Sequence, residues 1–206
     1  MINIKKAVGI MGVNCYILGD KSEAIIVDPG SDAEGILKTL QDNDICAKYI
    51  VLTHCHFDHI LAVENLMQNI DVKLIACQSE KDNLLDSSIN YTDRYSRKPV
   101  SISADLYVQT NDIIKSGDFE FQVLETPGHT SGSICLYCKN ENILISGDTL
   151  FFESIGRCDL ATGDGKTLVT SIKEKLFSLP DNTIVLPGHG ENTTIGHEKK
   201  NNPYIF

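Results

Sequence analysis

The stretch THCHFDH, residues 53–59, places His54, His56, Asp58 and His59 within seven residues. Three of the chain's six histidines are there. In extended backbone, side chains two apart point to the same side. His54 and His56 therefore face one point, with Asp58 next in phase. His59 is out of phase and joins them only where the chain turns at Asp58, as on entering a helix. The residues that follow, ILAVENLMQNI (60–70), read as a helix. The stretch thus reads as a strand end, a ligand-bearing loop and a helix start.

Outward from this point the pattern alternates between strands and helices. NCYILGD, EAIIVDPG and AKYIVLTH read as strands before it. Between the last two, Asp32 can cap a helix with Ile36, Leu37 and Leu40 on one face. After it come a strand, VKLIAC, and a short helix, SEKDNLLDSS. Residues 87–104 are polar and poorly periodic and read as a long surface loop, often a functional feature in a compact domain. Strands resume at DFEFQVLETPGH, GSICLYCKN and NILISGDT. A helix over 163–179 carries Leu168, Ile172, Leu176 and Leu179 at helical spacing. A last strand, NTIVLPGHG, and a short polar helix follow. With no linker or repeat, the expectation is one layered α/β domain over residues 1–206.

Composition narrows the function classes. Of 206 residues 42% are hydrophobic and 22% charged, ordinary for a soluble globular protein. The net charge of −10 argues against nucleic-acid and anionic-membrane surfaces. Seven cysteines at irregular spacing read as reduced thiols in a cytoplasmic protein. Cys135 and Cys138 form a C-x-x-C inside an apolar run, where packing is the expected role. The first 20 residues contain Lys5 and Lys6 but no cleavage-site pattern, and read as paired strands rather than a signal peptide. No apolar run approaches the roughly 18 residues that span a bilayer.

Three further donors follow apolar runs, each directly after a glycine: His129 in ETPGH, Asp148 in LISGD and His189 in VLPGH. Strand ends are where open α/β folds place binding residues. A lone histidine there is most often a hydrogen-bonded surface residue, but five with Asp58 and Asp148 form a constellation. Imidazoles and carboxylates without a thiolate set suit a working zinc, iron or manganese site. Cys55 lies within the stretch but points away from His54 and His56 if the segment is extended. Seven donors exceed the needs of one tetrahedral zinc, whereas two ions sharing a carboxylate use them all. His197, in a polar tail segment, stands outside the pattern.

Together THCHFDH, TPGHTSG, SGDTLF and PGH resemble the motifs of the metallo-β-lactamase superfamily, and GDTLF with IGRCDL resembles its glyoxalase II-like branch. The resemblance implies a four-layered αβ/βα sandwich with metals at one edge of the sheets. It implies first-metal ligands His54, His56 and His129, second-metal ligands Asp58, His59 and His189, and Asp148 as the bridge. Asp28, in VDPG, resembles a supporting aspartate beside the site. The implied cofactors are two divalent ions, zinc first, with iron or manganese as alternatives. The implied reaction is cleavage of a small 2-hydroxyacyl thioester by a metal-bound hydroxide, with Asp58 orienting the nucleophile and accepting its proton. The alternative is a persulfide dioxygenase with one iron on His54, His129 and Asp148. Without a cysteine in the second site, β-lactam cleavage is not favoured. Because 17 residues follow His189, no C-terminal glutathione-binding helical domain is expected. A nuclease fits poorly with the charge, and a non-enzymatic metal protein would need no open coordination position. The expected partner is a small-molecule thioester, with neither nucleic acid nor membrane; the oligomeric state stays open. Arg157, in IGRCDL, either holds a substrate carboxylate or pairs with Asp159. Tyr91, Arg94, Tyr95, Arg97 and Lys98 form an aromatic and basic patch that either covers the site or is a solvated loop.

Overall fold

A computed structural model describes residues 1–205. The chain starts as a hairpin, β1 (Ile2–Val8) and β2 (Val13–Gly19), followed by β3 (Ala24–Val27) antiparallel to β2. Helix α1 (Ala33–Asp42) then crosses to β4 (Ala47–Val51), parallel to β3. Asp32 caps α1 by accepting from the Gly35 amide, and Ile36 and Leu40, four apart, bury its inner face. Helices α2 (Phe57–Ile60) and α3 (Val63–Asn69) lead to β5 (Lys73–Cys77). Two more, α4 (Lys81–Leu85) and α5 (Thr92–Tyr95), lead to β6 (Leu106–Val108). Parallel neighbours cannot be joined by a tight turn, so each of these junctions carries helices.

The second half builds another sheet. Strands β7 (Ile113–Ser116), β8 (Phe119–Glu125), β9 (Ile134–Cys138) and β10 (Ile143–Gly147) form an antiparallel meander. A small hairpin follows, β11 (Leu150–Phe151) with β12 (Ser154–Ile155). Helix α6 (Gly165–Ser171), extended by a π-turn over Ile172–Leu176, crosses to β13 (Ile184–Pro187), parallel to β10. Then β14 (Thr193–Thr194) and α7 (Ile195–Asn201) complete the described chain. The sheets run β1-β2-β3-β4-β5-β6 and β14-β13-β10-β9-β8-β7.

Strand alternation sorts the apolar side chains into three layers of core. Tyr16, Leu18, Ile25 and Val27 meet Phe121, Val123, Ile134 and Leu136 between the sheets. Cys15, Ile17, Ala24 and Ile26 point the other way, against Ile36, Leu40, Leu66 and Leu84 of the helices. On the far side Cys135, Tyr137 and Leu144 pack against Leu168, Ile172 and Leu176. The result is helices, sheet, sheet, helices: the expected αβ/βα sandwich. Strands buried on both faces read as unbroken apolar runs, which is why ICLYC holds two fully covered thiols rather than a redox pair.

Some local expectations shift. The helix read over 60–70 begins at Phe57, with His56 as its N-cap, and is interrupted at Leu61–Ala62. Residues 87–104 are not simply a surface loop. Asn90, Tyr91 and Thr92 are buried, and the Asn90 amide donates to the Leu84 and Val100 carbonyls, fastening the segment beside α4. No helix is long and apolar enough to cross a membrane among the described residues.

Candidate metal centre

His54, His56, Asp58 and His59 follow β4 or open α2; His129, Asp148 and His189 stand just past β8, β10 and β13. The parallel pairing of β10 with β13 brings Asp148 beside His189. Close approach here excludes side chains on the backbone: a Cβ on Gly188 would lie 2.2 Å from Asp148 Oδ1, and one on Gly30 1.4 Å from the Asp58 carbonyl oxygen. Glycine in VLPGH and VDPG is thus a steric requirement of the cluster.

All seven donors converge. His54 Nε2 and His56 Nδ1 lie 3.2 and 2.9 Å from His129 Nε2. His189 Nε2 is 3.4 Å from Asp58 Oδ2, and His59 Nε2 is 3.9 Å from that oxygen. Asp148 stands between the groups, with Oδ2 3.7 Å from His129 Nε2 and 3.5 Å from His189 Nε2, and Oδ1 3.5 Å from His59 Nε2. Tetrahedral bonds of about 2 Å imply donor separations of roughly 3.3 Å, the scale seen here. Three donor triads satisfy a one-ion geometry: His54–His56–His129, His54–His59–Asp148 and Asp58–His59–His189.

Neighbouring groups set which ring nitrogen faces the cluster. His129 Nδ1 lies 2.7 Å from the Arg157 carbonyl and His189 Nδ1 3.2 Å from the Met11 carbonyl. A carbonyl only accepts, so each Nδ1 is the protonated nitrogen and each Nε2 is free for an ion. Thr53 does the same for His54: its hydroxyl donates to Asp28 Oδ2 and lies 3.1 Å from His54 Nδ1. Asp28 also accepts from the Thr53 amide and comes within 3.0 Å of His59 Nδ1, off the line of a good hydrogen bond. Asp28 thus lies beside the cluster, against Thr53 and His59.

Electrostatics favours a cation. Burial pushes the His59 pKa down, but the carboxylates of Asp148, Asp28 and Asp58 outweigh it and raise it to about 10. Burial followed by His129 lowers His56 to about 3, and burial with the surrounding imidazoles depresses His54. Buried His59 Nε2 and Asp148 Oδ1 have no hydrogen-bond partner. A divalent ion would satisfy both atoms, so the residues present fit a metal.

The cluster floors a cavity of about 680 Å³, walled by Met11, Phe57, Tyr91, Tyr95, Phe151 and Leu160, with Arg94 and Arg157 at its sides. Of the two alternatives read for Arg157, the structure shows the pair with Asp159, through Nε (2.8 Å) and a terminal nitrogen (2.9 Å), at a position on the cavity lining. Arg97 and Lys98 do not line it. A second hollow of 690 Å³ near the ends of α1 and α3 contains no histidine. Cys55 points into the core, as expected, and His197 lies apart, 3.0 Å from Glu153 and stacked on Phe152. Sequence reasoning missed two residues. Thr53 was visible as the first letter of THCHFDH. Glu80 had no signal: it is a buried carboxylate that accepts from the Cys55 amide and the Thr130 hydroxyl, joining the two histidine loops.

Comparison with known proteins agrees with this geometry. Residues 8–189 match the family model described as the metallo-beta-lactamase superfamily. The probable metallo-hydrolase YqgX of Bacillus subtilis is 37% identical over 96% of this chain and 94% of its own. The hydroxyacylglutathione hydrolase GloC of Haemophilus influenzae is also 37% identical, over 93% of this chain and 92% of its own. Among solved structures, BLEG-1, described as a B3 metallo-beta-lactamase, superposes with a TM-score of 0.93 at 38% identity, covering 99% of both chains. TTHA1623 in a di-iron-bound form gives 0.86 at 30% identity, over 98% of this chain and 99% of that one. ETHE1 from Myxococcus xanthus gives 0.82 at 28%, over 100% and 84%. By its motifs, its four-layered fold and these matches, the chain belongs to the metallo-β-lactamase superfamily.

Proposed function

We propose that this chain is a binuclear metal-dependent hydrolase of glyoxalase II-like type, cleaving a small 2-hydroxyacyl thioester. One observation carries the proposal: three imidazoles gather on one side of Asp148, and Asp58, His59 and His189 on the other. His54, His56 and His129 would hold one ion, Asp58, His59 and His189 the second, and Asp148 both. Imidazole and carboxylate donors accept zinc, iron or manganese, with zinc favoured. When bound, such ions would supply a water whose pKa is lowered to about 7 and a Lewis acid for the acyl oxygen.

The chain's own residues do the rest. Asp58 lines the cavity. Burial opposes its ionisation, but the His189 hydrogen bond and the charges of His59 and His189 hold its pKa down to about 2. It is therefore a carboxylate at neutral pH, able to orient the attacking water and take its proton. The water oxygen bonds to the acyl carbon, the carbon–sulfur bond breaks, and the sulfur leaves as thiolate. A thiol pKa of about 8.5 lets it leave without a general acid.

A second reading, a one-iron persulfide dioxygenase, draws on His54, His129 and Asp148, which can form a two-histidine, one-carboxylate face. It leaves Asp58, His59 and His189 without a task. The likeness to BLEG-1, described as a B3 metallo-beta-lactamase, keeps β-lactams among the substrates to be tested. The test is a panel of acyl thioesters and β-lactams, with oxygen uptake on glutathione persulfide. Chelator-sensitive thioester turnover without oxygen uptake supports the hydrolase; persulfide-dependent oxygen uptake without thioester cleavage overturns it.

A further inference from the structure

We propose that Arg94, seated over Tyr91 at the cavity wall, anchors a carboxylate of the substrate. The substrate class is then a thioester whose thiol or acyl part carries a free carboxylate away from the reacting carbonyl. This rests on the hydrolase reading for the bond that is cut, but not for the anion that is bound.

The first observation is Tyr91 itself. It is a bulky residue in the left-handed region, at φ 62°, where side chains other than glycine are disfavoured. Its neighbours hold it there. Asn90 Oδ1 accepts from the Thr92 amide and hydroxyl, while its amide group bonds the Leu84 and Val100 carbonyls. Both Asn90 and Thr92 are fully buried. The Tyr91 ring sits 5.5 Å from that of His56, and the Tyr91 hydroxyl accepts from the Ala161 amide at 2.8 Å. That hydroxyl proton therefore remains available to a ligand.

The second observation is the charge beyond it. The Arg94 guanidinium lies 5.3 Å from the Tyr91 ring centroid, and that ring is 5.5 Å from the His56 ring. Two cations line the cavity. Arg157 already has its Nε edge paired with both Asp159 oxygens, which offsets its charge and leaves only its outer edge for a carboxylate. Arg94 forms no ion pair among the described residues. On a chain of net charge −10, this unpaired guanidinium in the site wall offers a planar fork matched to a carboxylate. Phe57 stacked on Tyr95, with centroids 4.5 Å apart, forms an adjacent apolar stretch of wall for the uncharged middle of such a molecule.

The experiment uses metal-loaded protein, wild type and the variants Arg94→Gln, Arg94→Lys and Arg157→Gln. S-lactoylglutathione is compared with its dimethyl ester, which has the same thioester but no carboxylate. Arg94→Gln is expected to raise KM for the free acid about tenfold relative to the ester with kcat little changed, since a charged hydrogen bond is lost in both ground and transition states. Arg94→Lys should recover part of this, and Arg157→Gln should have the smaller effect. In parallel, titration calorimetry measures S-methylglutathione, which cannot be hydrolysed, against its dimethyl ester. The free acid should bind wild type about tenfold more tightly than Arg94→Gln. If the wild type cleaves no thioester but this difference persists, the hydrolase reading fails and the anion site stands. Equal effects of Arg94→Gln on acid and ester, or no effect on either, overturn the assignment of Arg94.

Discussion

Glu80→Ala removes a carboxylate that is 1% exposed and linked to both histidine loops. Its Oε1 accepts from the Cys55 amide, between His54 and His56, at 2.9 Å, and from the Thr130 hydroxyl, next to His129, at 2.8 Å. Its Oε2 accepts from the Asn83 amide group at 2.8 Å. The losses differ in kind. Thr130 can turn to Ser133 and Asn83 to Ser131, which they already touch. The Cys55 N–H has no second acceptor. An orphaned buried N–H costs about 1–3 kcal/mol and each rehoused bond roughly 1 kcal/mol, giving about 4 kcal/mol in all. For a chain of this size that is a fall in Tm of roughly 10 °C. Because the two loops also lose their tie, metal affinity should drop about tenfold, at the lower end of what supporting residues contribute. Glu80→Gln keeps an oxygen for Cys55 and should cost only about 1 kcal/mol. The assays are urea unfolding at fixed metal and competition with a chromophoric chelator. The reasoning fails if Ala and Gln are equivalent, or if Ala costs under about 1 kcal/mol with metal affinity intact.

Four further outcomes follow from the structure. Asp28→Ala strips the partner from Thr53 and His59 and should weaken metal binding about 10–100-fold, as measured by dialysis and elemental analysis, with secondary structure retained. His197→Ala should leave both metal content and turnover unchanged, because the ring's partners among the described residues are Glu153, Phe152 and Asn201; a large metal loss would mean the ligand set is misassigned. In native protein Cys46, the exposed thiol, should react with a disulfide reagent well before Cys15, Cys55 and Cys135. Burial pushes Cys135 up to about 11 and Cys77 to about 12, so the folded chain keeps protons that the unfolded chain loses near pH 9. Stability is thus full below that pH and should fall as pH rises towards 11 and 12, visible as a declining Tm.

Much of this was legible because the informative residues carry their chemistry in their identity. His54, His56, His59, His129 and His189 announced themselves by type and by position after apolar runs, and β2, β3 and β9 by unbroken hydrophobicity. What was hidden depends on backbone atoms and on side chains far apart in sequence. The Arg157 and Met11 carbonyls orient His129 and His189, yet a carbonyl is the same in every residue. Glu80 looked like one more surface acid in a polar helix. Short β6 and half-exposed β7 lack the apolar run that marked the inner strands. Residues 87–104 looked loop-like because Asn90 and Thr92 bury polar side chains by satisfying each other and the backbone, not by hydrophobicity.

The most direct test of a binuclear thioester hydrolase is turnover of S-lactoylglutathione followed while metal-free protein is titrated with zinc, iron or manganese. Activity should rise until about two ions are bound per chain and vanish on chelation, and His189→Ala should retain only the ion held by His54, His56 and His129. Saturation at a single ion, with activity indifferent to His189 and oxygen consumed on a persulfide, would contradict the account.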